Sequence, residues 1–150
     1  MSAQTPDHTL FGPRLLAVAR LWRRAADQAL DDCGLSHALA MPLLTLSRLG
    51  ESARQGVIAE QLGFEGPSLV RIVDLLVAEG LVTRVEDPAD RRAKIISLTN
   101  AGRVRVAEIE RIIEALRLDL LKDVTPEELR SMVDVLGRLE TKLLGETAQH

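Results

Sequence analysis

Tyrosine is absent from this 150-residue sequence, and its aromatic side chains are Trp22, Phe11 and Phe64, scattered along the chain. A surface that binds single-stranded nucleic acid by stacking bases on clustered rings is therefore not encoded. Cysteine is reduced to Cys33, which leaves no intrachain disulfide, no CxxC pair and no cysteine set for a structural zinc, and suits a reducing compartment. The histidines, His8, His37 and His150, stand far apart without the HExxH spacing of a zinc hydrolase. Neither a GxSxG elbow nor a phosphate-binding P-loop occurs. These absences speak against an enzyme, and no cofactor or metal is expected. No run of eighteen apolar residues and no basic segment leading into an apolar core occurs, so neither a membrane span nor an export signal is read. The expectation is a cytoplasmic protein.

What is present fits one globular domain or compact subunit, with 46% hydrophobic and 27% charged residues. Residues 1–8 and 147–150 are polar and irregular and are expected to fray. The net charge of -3 hides an uneven distribution. Residues 84–105 carry six basic side chains against three acidic, whereas residues 108–146 carry six against ten. A local positive field can therefore exist on an acidic chain.

Residues 56–99 have the richest pattern. Val57, Ile58, Ala59 and Leu62 make the apolar face of a short helix that stops at Gly63. After the turn Phe64-Glu65-Gly66, Pro67 sits where a first helical residue belongs, its missing N–H costing nothing there. The helix it opens is expected over 67–79, with Leu69, Ile72, Val73, Leu76 and Val77 inward and Ser68, Arg71 and Asp74 off that face. Leu81 to Val85 alternates as a half-buried strand, and Ile95 to Thr99 returns beside it. Between them Asp87-Pro88 reads as the opening of a type I turn. The expected two-stranded hairpin, 81–99, projects Arg91, Arg92 and Lys94 at or near its tip. Two helices joined by a glycine-containing turn form a helix-turn-helix, whose second helix enters the DNA major groove. Pro67, Ser68 and Arg71 face DNA on this reading, joined by Gln55, Arg84, Arg91, Arg92 and Lys94. Asp87 and Asp90 are assigned to holding the wing turn.

Around this lobe lie longer helical patterns. The first opens near Thr9 and runs to about Cys33, with Leu15, Val18, Ala19, Trp22, Ala25, Ala26, Ala29 and Leu30 as its apolar stripe. On its other side Arg23 and Asp27 are spaced for an i,i+4 pair. Ser36 is placed to cap a second helix that contains Pro42, where a bend is expected. Thr99 or Asn100 caps a helix continuing to about Lys122. Thr125-Pro126-Glu127-Glu128 is a capping box opening a last helix, whose stripe of Leu129, Met132, Val133, Leu136, Leu139 and Leu143 needs a partner.

The runs EGPSLVRIVDLLVAEGLVTR, residues 65–84, and DPADRRAKIISLTNAG, residues 87–102, resemble the MarR family of winged-helix transcription regulators. The resemblance spans about residues 10–144. It implies a mainly α fold with a small β wing, in which a winged helix-turn-helix lobe, 36–99, joins a helical dimerisation platform, 10–34 and 100–146. Periodicity alone also permits those helices to pair within one chain. The resemblance further implies a homodimer on a pseudo-palindromic operator in double-stranded DNA, more often as repressor than activator, released by a small molecule. The family places its ligand crevice between the dimer helices and the DNA-binding lobe, which makes Trp22 and His37 the effector candidates and a small aromatic or phenolic compound the ligand class. Its oxidation-responsive branch depends on tyrosines around a cysteine near the start of the first helix. Here Cys33 lies at the far end without tyrosine, and a small buried side chain is expected. A winged-helix module serving only protein contacts is the rival reading, and it leaves the three wing cations unexplained.

Overall fold

The computed structural model describes residues 7–147, which form α1 (Asp7–Asp31), α2 (His37–Arg48), β1 (Ser52–Arg54), α3 (Gln55–Leu62), α4 (Gly66–Ala78), β2 (Val82–Asp87), β3 (Asp90–Leu98), α5 (Asn100–Leu120) and α6 (Pro126–Thr147). The outermost residues, 1–6 and 148–150, for which fraying is expected, lie outside the described residues. His8, grouped with that irregular start in the sequence, is instead in the first turn of α1. Helix α1 continues through Pro13 and α2 through Pro42, each proline forgoing one backbone donor. Pro42 is fully buried, so its ring fills core volume.

Residues up to Leu116 form one compact unit. Its core joins Leu30 of α1, Leu35 of the following turn, Leu43 and Leu46 of α2, Ile58 of α3, Leu69, Val73 and Leu76 of α4, Ile96 and Leu98 of β3, and Val106 and Ile109 of α5. The spacing of Leu69, Val73 and Leu76, four residues and then three, is the inner stripe of an α-helix. Val77, assigned to that stripe in the sequence, is 38% exposed. Val57 of α3 likewise faces outward, leaving Ile58 as the buried contact. The apolar stripe of α1 is buried only at Ala26 and Leu30, and Leu15, Val18 and Trp22 remain more than a third exposed.

The sheet has three strands, not the expected two, in the order β1-β3-β2. Strand β1 pairs antiparallel with β3, Ser52 opposite Ser97 and Arg54 opposite Ile95, and the hydroxyls of Ser52 and Ser97 lie 2.8 Å apart. Its three residues, Ser-Ala-Arg, show no apolar alternation, and its place is set by backbone pairing. Just before it, Glu51 has φ +71, a left-handed conformation uncommon outside glycine and asparagine. It is held by its N–H on Leu46 O at 2.8 Å, its carbonyl on Leu98 N at 2.9 Å, and its carboxylate on Arg103 Nε at 2.8 Å.

One junction ties α4, the sheet and α5 together. The backbone N–H of Thr99 donates to Leu81 O at 3.1 Å, and its hydroxyl donates to Gly80 O at 2.6 Å while accepting the N–H of Gly102 at 3.0 Å. Thr99 is thus the side-chain cap of α5. A Cβ at Gly102 would lie 2.1 Å from Leu81 O, so only glycine allows this approach.

Residues from Arg117 onward form the second unit. The capping box opens α6 as the sequence implies: Glu128 Oε2 accepts the N–H and hydroxyl of Thr125, each at 2.9 Å, and the Glu128 N–H reaches Thr125 Oγ1 at 3.3 Å. These bonds, the backbone N–H of Thr125 foremost, hold the Glu128 carboxyl below the usual range. On α6, Met132, Val133, Leu136 and Leu143 are each more than two-fifths exposed.

Replacing Gly102 by alanine should destabilise the lobe by about 1–3 kcal/mol or more, because backbone stands where the methyl group must go. Urea denaturation followed by circular dichroism measures this, and unchanged stability would show that the α5 junction yields freely.

Candidate nucleic-acid interface

Helix α4 begins where the turn through Gly63 releases the chain. Gly63 has φ +64 and closes α3, and Gly66 and Pro67 form the first turn of α4, one residue earlier than the sequence implies. Pro67, Ser68 and Arg71 are exposed on the side away from the core, and among the described residues no carboxylate pairs with Arg71. Asp74, one turn further on, accepts from Arg84 Nη1 at 2.6 Å. Arg84, read from sequence as a DNA contact, is therefore a strut between β2 and α4.

The hairpin is longer and tighter than the sequence suggests. Strands β2 and β3 run as far as Asp87 and Asp90, so Pro88 and Ala89 alone form the loop. Glu86 pairs with Lys94 and Asp87 with Asp90, which leaves Arg91, Arg92 and Ala93 in an irregularity of β3 with no opposite residues. The arginines are thus strand residues in a bulge, the device by which a sheet edge turns side chains out of its plane. Arg91 is exposed, and the Arg92 side chain is 95% exposed. Lys94 turns back across the ladder, its Nζ 3.0 Å from Glu86 Oε1.

Two aspartates organise the tip. Asp87 is buried; its Oδ1 accepts the N–H of Ala89 at 2.8 Å, and its Oδ2 accepts Nε and Nη2 of Arg54, each at 2.6 Å. The Ala89 N–H, then the Arg54 guanidinium, and last the Asp90 N–H draw its carboxyl below the usual range, against the upward pull of burial. Asp90 Oδ1 accepts the backbone N–H of Arg92 at 3.1 Å and lies 3.6 Å from its Nε. Sequence reasoning missed Arg54 and Asp74 as the partners of the wing. A lone arginine in a three-residue strand carries no signal of its own, although the i,i+10 separation of Asp74 and Arg84 spans one helix end and one strand start.

The remaining candidates lie elsewhere. Gln55 is the first residue of α3, half-buried, with its Oε1 turned inward and without a hydrogen-bond partner. His37 Nδ1 lies 2.5 Å from Asp27 Oδ1, joining α2 to α1. Both atoms are buried. Asp27 thus turns to His37 rather than to Arg23, which the i,i+4 spacing suggests. A cavity of about 130 Å³, bounded by Leu35, Leu39, Leu43, Leu81, Arg105 and Ile109 among others, includes neither Trp22 nor His37 in its wall. Cys33 is exposed, contrary to the buried thiol expected. Helix α1 ends at Asp31, and the turn closed by the N–H groups of Cys33 and Leu35 on Leu30 O sends Leu35 inward in its place. Among the described residues no group of three or more His, Cys, Asp or Glu side chains is placed to hold a metal ion, and no helix is long and apolar enough to cross a membrane.

A family model described as the MarR family matches residues 34–93, from the end of the α1 turn through the wing arginines. Among solved structures, the transcriptional regulator PA3341 is 38% identical, with 90% of this chain and 98% of that one covered at a TM-score of 0.80. A transcriptional regulator of the MarR family from Rhodococcus sp. RHA1 is 26% identical, covering 91% of this chain and 96% of its own at a TM-score of 0.79. A cysteine-to-serine mutant of MarR from E. coli, complexed with operator DNA, shares the fold at 21% identity and a TM-score of 0.76, with 92% and 99% covered.

The depressed Asp87 carboxyl gives the wing a pH signature. Its stabilising effect is complete above the unfolded-state value, about 4, and is lost as pH falls through the lower folded value. The stability difference between the protein and its Asp87→Asn variant should be largest near neutrality and shrink steadily below about pH 4. Parallel denaturation curves across that range measure it; a difference that grows on acidification would contradict the assignment.

Proposed function

Since the chain belongs to the MarR family of transcriptional regulators, we propose that it binds a pseudo-palindromic operator in double-stranded DNA as a homodimer. In this reading it acts in the cytoplasm as a repressor that a small aromatic or phenolic molecule releases. The observation that carries the DNA reading is the division among its basic side chains. Arg54, Arg84 and Lys94 are tied to carboxylates across the lobe, whereas Arg71 on α4 and Arg91 in the wing bulge stand open to solvent, and Arg92, 95% exposed, has only the loose 3.6 Å contact with its neighbour Asp90. The bound cations fix the hairpin against α4 and β1; the open ones are free to meet phosphates and base edges. A relative of this fold solved on operator DNA supports the same use of the scaffold.

Dimer formation is supported by apolar side chains left uncovered on α1, Leu15, Val18 and Trp22, and on α6, Met132, Val133 and Leu136. A second copy of the chain is the partner that would remove them from water. In a two-fold dimer the α4 helices reach major grooves one helical turn, roughly 34 Å, apart. Release requires an effector that favours the arrangement of subunits which the operator does not fit. Trp22, 37% exposed on α1, and His37, clasped to Asp27 of α1, are the residues assigned to sense it.

Two experiments test this reading. Arg71→Ala should cost on the order of 1–3 kcal/mol per half-site and relax preference at one position. Arg91→Ala should weaken all duplexes nearly alike and lower the salt slope by about 1 for each phosphate that is no longer neutralised. Titration against operator and scrambled duplex at several salt concentrations separates the two, and an unchanged slope for Arg91→Ala would remove the wing from the interface. Placing a charge on the α6 face, Leu136→Asp, should convert dimer to monomer in sedimentation equilibrium and lower operator affinity with it. A monomeric variant that binds the operator at full strength would overturn the dimer reading.

A further inference from the structure

Ser68, Arg71 and Leu75 follow one another on α4 at steps of three and four residues, so they form one column along the helix. Leu69, Val73 and Leu76 occupy the other, fully buried side. Leu75 is 55% exposed, more than any other large apolar side chain of α4. A lone exposed leucine is ordinary on a protein surface, but this one continues the column of Ser68 and Arg71. The acidic group beside it does not bar an approach to DNA, because Asp74 is already engaged by Arg84 at 2.6 Å.

This inference rests on the DNA-binding reading above. We propose that Leu75 is a specificity-determining residue that packs against the C5-methyl group of a thymine in the operator major groove. That methyl is the one apolar feature a base pair presents there, and it is absent from the edges of cytosine, adenine and guanine. Arg71 supplies hydrogen bonds and charge; Leu75 supplies an apolar surface that gains by leaving water only where a methyl group meets it. Four residues of helix rise place Leu75 about 6 Å beyond Arg71 along the axis. That distance corresponds to about two base-pair steps, so the thymine is expected about two positions from the base pair at which Arg71→Ala relaxes preference.

The test uses the full-length protein and the tightest duplex selected from a random pool. Each thymine of the half-site is replaced in turn by deoxyuridine, which removes the methyl group and leaves the pairing edge unchanged, and affinities are measured for the protein and for Leu75→Ala. Removing the methyl group that Leu75 covers should weaken binding by the protein about fourfold per half-site at a single position. The Leu75→Ala variant, whose melting temperature should be unchanged, should show no such weakening at that position. Binding in which protein and variant share one deoxyuridine profile, or in which no thymine matters, overturns the inference and leaves the DNA reading intact. Failure of the protein to bind any duplex overturns both.

Discussion

The carbonyl oxygen of Leu81 is the point on which the DNA-binding lobe depends. Leu81 leads from the end of α4 into β2, and its carbonyl accepts the N–H of Thr99, the residue that leaves β3 and caps α5. The first turn of α5 approaches that same oxygen so closely that position 102 can bear no side chain. One peptide group therefore joins the end of α4, the origin of the hairpin and the start of a long helix at once. Since a buried carbonyl left without a donor is costly, a shift of any of these elements is felt by the other two.

The lobe also shows how an acidic protein can leave chosen cations exposed. Several of its acids are engaged within the lobe: Asp74, Asp87 and Glu86 each take up a basic side chain, and Asp90 holds the backbone of Arg92. The pairs of Asp74 and Glu86, between exposed groups, add little stability one at a time. The effect of all three pairs is geometric, since they consume the arginines and lysine whose positions hold the hairpin and leave Arg71, Arg91 and Arg92 to define the outward field.

The helices are legible in the sequence because periodicity and punctuation agree. Leu69, Val73 and Leu76 repeat at helical spacing between Gly63 and Gly80, and the Thr125 to Glu128 box marks the start of α6 by chemistry that the structure repeats atom for atom. Strand β1 is not legible, because Ser52, Ala53 and Arg54 owe their extended form to a backbone ladder supplied by residues more than forty positions away. Side-chain alternation places the wing correctly but makes its tip too wide. Pairing continues to Asp87 and Asp90 through backbone groups that leave no trace in that alternation, and it is the bulge that absorbs the extra residues. Residue type alone assigns Cys33 to the interior, whereas the geometry of the helix end decides between it and Leu35. The partners of Asp27, Asp74 and Asp87 are set by tertiary placement, and local spacing suggests a different mate for the first of them.

The contact between Arg54 and Asp87 gives the wing a mechanical property. Arg54 immediately precedes α3, and Asp87 stands at the far end of β2, beside the two-residue loop. A hairpin held only at its base would bend as a cantilever, its tip moving most for the least force. Here the tip is strutted to the foot of the helix-turn-helix, so the hairpin behaves as a beam supported at both ends. A push on the hairpin tip is thereby delivered to the start of α3, and the backbone that carries Arg91 and Arg92 is braced against it.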